Sequence, residues 1–234
     1  MSESSLKAFI LAGGQGTRLK PRFGELPKPL APIGGKPFLT HQLEWLASHR
    51  VQCAVILAGY GAEQMRDELG TEVAGVKLEW SVEPTPLGTG GALRLAERFV
   101  NGPALVVNGD TLAEGDPWAL ERDRWEQGAM GAVALYGVTD ARARGRVELD
   151  ESGSIARFVE KDDAWHAAAW VNGGVYAFAP RLWRELPAGP SSLERDLLPQ
   201  LAARGVLYGR RCPGRFWDIG TPEDWERAER ELAR

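Results

Sequence analysis

The chain has 234 residues, 44% of them hydrophobic, and a net charge of −4 with acidic and basic residues interspersed. That length fits one α/β domain with a sizeable buried core. No basic stripe suits duplex nucleic acid, and no apolar run approaches the about 18 residues of a membrane span. The opening MSESSLKAFILAGG has too short an apolar core for a signal peptide. Cys53 and Cys212 lack metal-ligand spacing and read as buried, reduced thiols of a cytoplasmic protein. His41, His49 and His166 are too scattered for a zinc site.

In chain order, AFILA (8–12) reads as a buried strand, and Phe38, Leu39, Leu43, Leu46 and Ala47 keep helical spacing. CAVILA (53–58) is a second strand, 61–69 a helix, VKLEWSV (76–82) a third strand, GGALRLAERF (90–99) a helix and ALVVN (104–108) a fourth strand. This alternation argues for a parallel sheet with helices on both faces, whose ligands bind beyond the carboxyl ends of the strands. GGQGTR, Glu83 and Gly109–Asp110 fall at such ends. After about residue 130 the pattern changes. GAVALYGV, RGRVELDESGSIARFVEKD and AAWVNGGVYAF read as strands joined by short turns, extending the sheet in antiparallel fashion. SSLERDLLPQLAA (191–203) reads as a serine-capped helix, GVLYGRR (205–211) as a last strand and TPEDWERAERELAR (221–234) as a threonine-capped helix.

Residues 11–30, LAGGQGTRLKPRFGELPKPL, follow the first strand directly. Gly13, Gly14 and Gly16 let backbone N–H groups turn inward around an anion. Arg18 offers a fork matched to phosphate oxygens, and Lys28 a compact charge placed by Pro27 and Pro29. The segment is not a Walker A loop, lacking GK[ST], and Leu19 replaces the third glycine of GxGxxG, which disfavours a dehydrogenase. The plain alternative is a glycine-rich turn with solvated cations.

GGQGTRL followed by PKPLAPIGGKP resembles the signature of sugar-1-phosphate nucleotidyltransferases. The resemblance continues through EPTPLGTGGA (83–92), NGD (108–110), FVEKD (158–162), WVNGGVYAF (170–178) and FWDIGT (216–221). The wording VEPTPLGTGGA with NGDT in a short chain most resembles the guanylyltransferases of D-glycero-α-D-manno-heptose 1-phosphate. The resemblance implies a Rossmann-like α/β fold with a mixed, mostly parallel sheet. It implies a single domain over 1–234, with a nucleotide-binding half (1–115) and a sugar-binding half (116–234). It also implies transfer of a nucleotidyl group to a sugar 1-phosphate with release of pyrophosphate, serving nucleotide-sugar and surface-polysaccharide synthesis.

On this resemblance Arg18, Lys28 and Asp110 are catalytic. Leu11, Ala12, Gly13, Gly14, Gly16, Thr17, Glu83, Gly88 and Thr89 bind the nucleotide. Asn108, Gly109, Glu160, Lys161, Asn172 and Gly173 bind the sugar, and Asp110 and Asp218 hold Mg2+. Plain alternatives exist for several of these: a turn aspartate at Asp110, a structural hydrogen bond beneath Gly220 at Asp218, a carboxylate merely solvated before Pro84 at Glu83 and a solvated Glu160–Lys161 pair. Glu83 tilts the base toward guanine, because a carboxylate only accepts and guanine presents two adjacent donors. Similar uridine- or thymidine-using enzymes tend to carry glutamine there. The sequence departs from the common pattern at Asp162, where proline often follows EK, and at Arg22–Phe23, where threonine is frequent. Trp165, Trp170 and Trp183 read as core or rim residues, with a sugar platform as the alternative.

The competing readings are an N-acetylmuramate-type uridylyltransferase, a mannose 1-phosphate guanylyltransferase and, outside catalysis, a nucleotide-sensing subunit. The expected partners are GTP and a sugar 1-phosphate, without nucleic acid or membrane. A homodimer is allowed but not implied.

Overall fold

The computed structural model describes residues 6–139, 141, 145–159 and 167–233. Four apolar runs form the central parallel strands Lys7–Ala12, Cys53–Ala58, Val76–Val82 and Ala104–Asn108. Three of them are covered on both faces and read as continuous apolar runs, whereas Val76–Val82, nearer the edge, alternates buried and exposed residues. Ala8, Ile10 and Ala12 pack with Leu39, Leu43 and Leu46 of the helix Phe38–Ser48 and with Met65 of Ala62–Leu69. Phe9 points to the other face, among Leu93 of the helix Gly88–Leu95 and Leu193, Leu197 and Leu201.

The main sheet has ten strands among the described residues. Its spine runs Glu72–Val73, Val76–Val82, Cys53–Ala58, Lys7–Ala12, Ala104–Asn108, Ala169–Phe178. The long strand Ala169–Phe178 is antiparallel to Ala104–Asn108 through Val175–Phe178, and Gly131–Val138 flanks it antiparallel on its other side. The hairpin Arg146–Leu149/Ile155–Val159 joins near Val171. The expected antiparallel extension is therefore present, with one difference: Leu207–Arg211 closes the edge parallel to Gly131–Val138.

The helix expected over 90–99 starts earlier, at Gly88, and breaks after Leu95 into a short turn, Glu97–Phe99. The stretch expected as one helix over 191–203 opens with a wide turn, Leu193–Leu197, before the α-helix Leu198–Ala203. Ser192 caps it, accepting from Arg195 N–H at 3.1 Å. A helix not foreseen runs over Pro117–Glu126, capped by Asp116 accepting from Trp118 N–H at 2.9 Å. Residues Asp116–Pro117 were its available signal, an N-cap followed by proline. Also unforeseen is a two-stranded ribbon, Thr111–Ala113 with Phe216–Asp218. The closing helix is Pro222–Leu232, with Thr221 as its cap.

Cys53 and Cys212 are free and half-buried, and burial together with the Glu79 carboxylate pushes the Cys53 thiol up to about 11. His41 bonds the Ile33 carbonyl and His49 packs on Trp45. His166 and Trp165 lie outside the described residues. Trp170 stacks with Arg211, its ring centroid 5.5 Å from Arg211 Cζ. Trp183 is core: it is 1% exposed, its ring meets Phe9 at 5.3 Å, and its Nε1–H donates to the Leu93 carbonyl. Trp183→Ala should destabilise the chain by about 3–5 kcal/mol, read as a lower midpoint in urea unfolding.

Candidate active site

The parallel strands Lys7–Ala12 and Ala104–Asn108 end in step, with Leu11 opposite Asn108. The Gly109 N–H donates to the Leu11 carbonyl at 3.0 Å and locks the two exits together. On the other side, the Glu83 N–H donates to the Ala58 carbonyl at 2.9 Å. Four chain exits thus surround a cavity of about 740 Å3, within the ordinary range for small-molecule sites.

Leu11, Ala12, Gly13, Gly14 and Lys28 line one end of it. Asn108, Gly109 and Asp110 line the floor, and Glu83, Gly88 and Thr89 complete the wall. Gly16, Thr17, Arg18, Asn172, Gly173 and Asp218 do not line this cavity. Glu160 and Lys161 lie outside the described residues.

The signature glycines have separate reasons. A Cβ on Gly13 would stand 2.8 Å from Glu83 Oε1, and one on Gly59 2.6 Å from the same atom. The carboxylate is therefore packed against two bare backbones. Gly16 has φ +59° and abuts Lys28, where a Cβ would stand 2.8 Å from Lys28 Cβ. Gly14 meets nothing within 4 Å.

Lys28 Nζ donates to Asp110 Oδ2 at 2.5 Å, and the lysine side chain is 11% exposed. Thr111 Oγ1 donates to Asp110 Oδ1 at 3.2 Å. Asp218 is opposite Thr111 in the ribbon, and the Ile219 N–H donates to the Asp110 carbonyl at 3.0 Å. The structure thus brings the turn that carries Asp110 beside the strand that ends at Asp218, across more than a hundred residues. Asp218 Oδ1 also accepts the Gly220 N–H, so the structural bond beneath Gly220 exists. Arg18 is exposed and reaches the same turn: its Nη2 would be 3.5 Å from a Cβ on Gly220. Among the described residues no group of three or more His, Cys, Asp or Glu is arranged to hold a metal. Two carboxylates nevertheless suit a hard divalent cation that takes its other ligands from phosphates and water.

Glu83 Oε2 accepts the Leu87 N–H at 2.9 Å. Burial holds the Glu83 carboxyl above the usual carboxylate range, against the opposing pull of that N–H. Thr89 reaches the wall, but its hydroxyl is spent: it donates to Glu194 at 2.9 Å and accepts from the Leu193 N–H at 2.7 Å. Asn172 is partly engaged, donating one N–H to the Tyr176 hydroxyl and accepting from the Gly174 N–H, both at 2.9 Å. Sequence reasoning missed Gln15, Tyr60 and Glu194, which line the cavity. Tyr60 follows the Cys53–Ala58 strand and shared the strand-end signal. Glu194 gave none, because it arrives from a distant helical turn. Tyr60 donates its hydroxyl to Glu25, which also pairs with Lys20 at 2.8 Å.

The nucleotidyl transferase family matches residues 7–234. The chain belongs to that family. It is 35% identical over 224 residues to mannose-1-phosphate guanylyltransferase catalytic subunit beta of Drosophila pseudoobscura pseudoobscura, covering 94% of this chain and 60% of that protein. It is 34% identical to mannose-1-phosphate guanylyltransferase of Mycobacterium tuberculosis, covering 100% of this chain and 66% of that one. The chain thus spans less than two thirds of these relatives. HddC from Yersinia pseudotuberculosis, solved in complex with GMP-PN, superposes with a TM-score of 0.85 at 30% identity, covering 97% of this chain and 99% of that one. The nucleotidyltransferase α/β fold, with its mixed and mostly parallel sheet, is shared with such neighbours.

Because Glu83 holds its proton more tightly folded than unfolded, its ionisation costs stability as pH rises through the carboxylate range. The cost is absent below the unfolded pKa and complete above the folded one. Glu83→Gln should therefore raise the Tm more at pH 8 than at pH 4, with the Leu87 bond kept by the amide oxygen. A Tm difference independent of pH would refute this.

Proposed function

We propose that this chain transfers GMP from GTP to a sugar 1-phosphate, releasing pyrophosphate, with D-glycero-α-D-manno-heptose 1-phosphate as the sugar. The observation that carries the reading is that Gly13, Gly14, Lys28, Asp110 and Glu83 line one cavity. Family membership and the likeness to HddC support nucleotidyl transfer, and the names of the curated relatives support guanine as the base.

In this reading a phosphate oxygen of the sugar substrate attacks the α-phosphorus in line, and the bond to the pyrophosphate oxygen breaks. The nucleophile is already an anion, so no general base is needed, and the chain's work is positioning and charge compensation. Backbone N–H groups of the Gly13–Gly16 turn cradle the tail. Lys28, held against Asp110, meets the α-phosphate and the incoming phosphate. Arg18, beside the Asp218–Gly220 turn, offsets charge on the leaving pyrophosphate. Asp110 and Asp218 would hold Mg2+, which when bound neutralises phosphate oxygens. Glu83 Oε1 accepts from the guanine N1–H and 2-amino group while Oε2 stays on Leu87. In this reading residues 1–115 carry the nucleotide and 116–234 the sugar, with Glu160 and Lys161 on the sugar side, in a cytoplasmic enzyme. No helix among the described residues is long and apolar enough to cross a membrane.

The relatives' names favour a second sugar, mannose 1-phosphate. Pyrophosphate release should be measured with each nucleoside triphosphate against heptose and mannose 1-phosphates. GTP with the heptose should give the highest kcat/KM. Turnover with UTP alone would refute the guanine assignment, and preference for mannose 1-phosphate would replace the sugar. Lys28→Ala and Asp110→Ala should each lower kcat by about 10²-fold or more with the fold intact by circular dichroism. Near-normal rates would remove both assignments. Glu83→Gln should cut the GTP-over-UTP preference by at least about tenfold, since a site built on one polar pairing loses most of its discrimination with it.

A further inference from the structure

Gln42 lies in the middle of the helix Phe38–Ser48, among Leu39, Leu43 and Leu46, and is 0% exposed. A buried amide in an apolar helix face is out of place unless it is bonded. Its Nε2 donates one hydrogen to the Asn108 carbonyl at 2.8 Å and the other to the Thr111 carbonyl at 2.5 Å. Its Oε1 is buried and has no partner. The opposite amide orientation would press an oxygen against two carbonyls, so the geometry admits one orientation.

The two accepting carbonyls bracket the turn Asn108–Gly109–Asp110–Thr111. Gln42 therefore closes that turn from beneath, while Asp110 leaves it on the cavity side toward Lys28. The unpaired amide oxygen is a stability cost, and the two bonds to the Asn108 and Thr111 carbonyls are what offsets it. We propose that Gln42 is a positioning residue: through the carbonyls of Asn108 and Thr111 it sets the height and direction of the Asp110 carboxylate. This rests on the role proposed for Asp110 above. Groups that orient a ligating carboxylate typically change activity or metal affinity about 10–100-fold when removed.

The test is Gln42→Met, which keeps length and volume but donates nothing, with Gln42→Glu and Asp110→Ala beside it. Gln42→Met should lower kcat about 10–100-fold while the KM for GTP changes little. Electron paramagnetic resonance titration with Mn2+ in the presence of GTP should show weakened binding by a similar factor, a readout that does not depend on turnover. Gln42→Glu, which places an acceptor against two carbonyls, should be at least as impaired. Thermal unfolding should show all variants folded at the assay temperature. If Gln42→Met keeps wild-type kcat and Mn2+ affinity while Asp110→Ala is inactive, the inference about Gln42 is wrong and the site reading stands. If Asp110→Ala itself keeps its rate, the site reading fails instead. A Gln42→Met defect wholly accounted for by unfolded protein, with Mn2+ affinity unchanged in the folded fraction, would also overturn the inference.

Discussion

The site depends on two parallel strands ending in step. With Leu11 opposite Asn108 and the Gly109 N–H bound to the Leu11 carbonyl, the glycine turn and the Asp110 turn leave the sheet side by side. The Lys28–Asp110 ion pair then joins what the two exits carry. A register slip of one residue would reverse every side chain of the Lys7–Ala12 strand between the two cores, so this juxtaposition is held by the burial of Phe9 and Ile10 as firmly as by any polar contact.

The segment between Arg18 and Lys28 has little core of its own and borrows one. Phe23 meets Trp225 at 5.2 Å, edge to face, and Arg22 lies over the same ring at 4.2 Å. Trp225 Nε1–H donates to the Pro32 carbonyl, and the Gly34 N–H donates to Glu229. Leu19, Ile33, Phe38, Trp217, Ile219 and Trp225 form one cluster, so the helix Pro222–Leu232 packs over the signature segment. The exposed Arg22–Glu226 pair contributes little beside this burial. Arg22 and Phe23, which depart from the common pattern, are the residues that make the contact.

What could be read in advance follows from how each element is stabilised. Strands buried on both faces are apolar throughout, Val76–Val82 alternates with the strand period, and the central four were legible nearly to the residue. The helix Pro117–Glu126 was not, because its charged residues are spread around its circumference, and one of them, Arg124, is buried and paired with Glu121. The ribbon that pairs Asp218 with Thr111 is three residues long on each side, too short to leave a periodic trace. That the Asp110 turn lies beside Asp218 was reachable only through resemblance. Thr89 and Asn172 show the reverse limit. A motif names the residue but not where its hydrogen bonds go, and both side chains are engaged by their own neighbours.

The packing of one carboxylate between two glycines has an evolutionary consequence. Because Glu83 Oε1 would be within 3 Å of a Cβ at position 13 or 59, a methyl group at either glycine would push the Glu83 carboxylate out of its present place and off its bond to Leu87. Across homologues the three positions are therefore coupled: alanine at 13 or 59 goes with a differently placed or shorter side chain at 83.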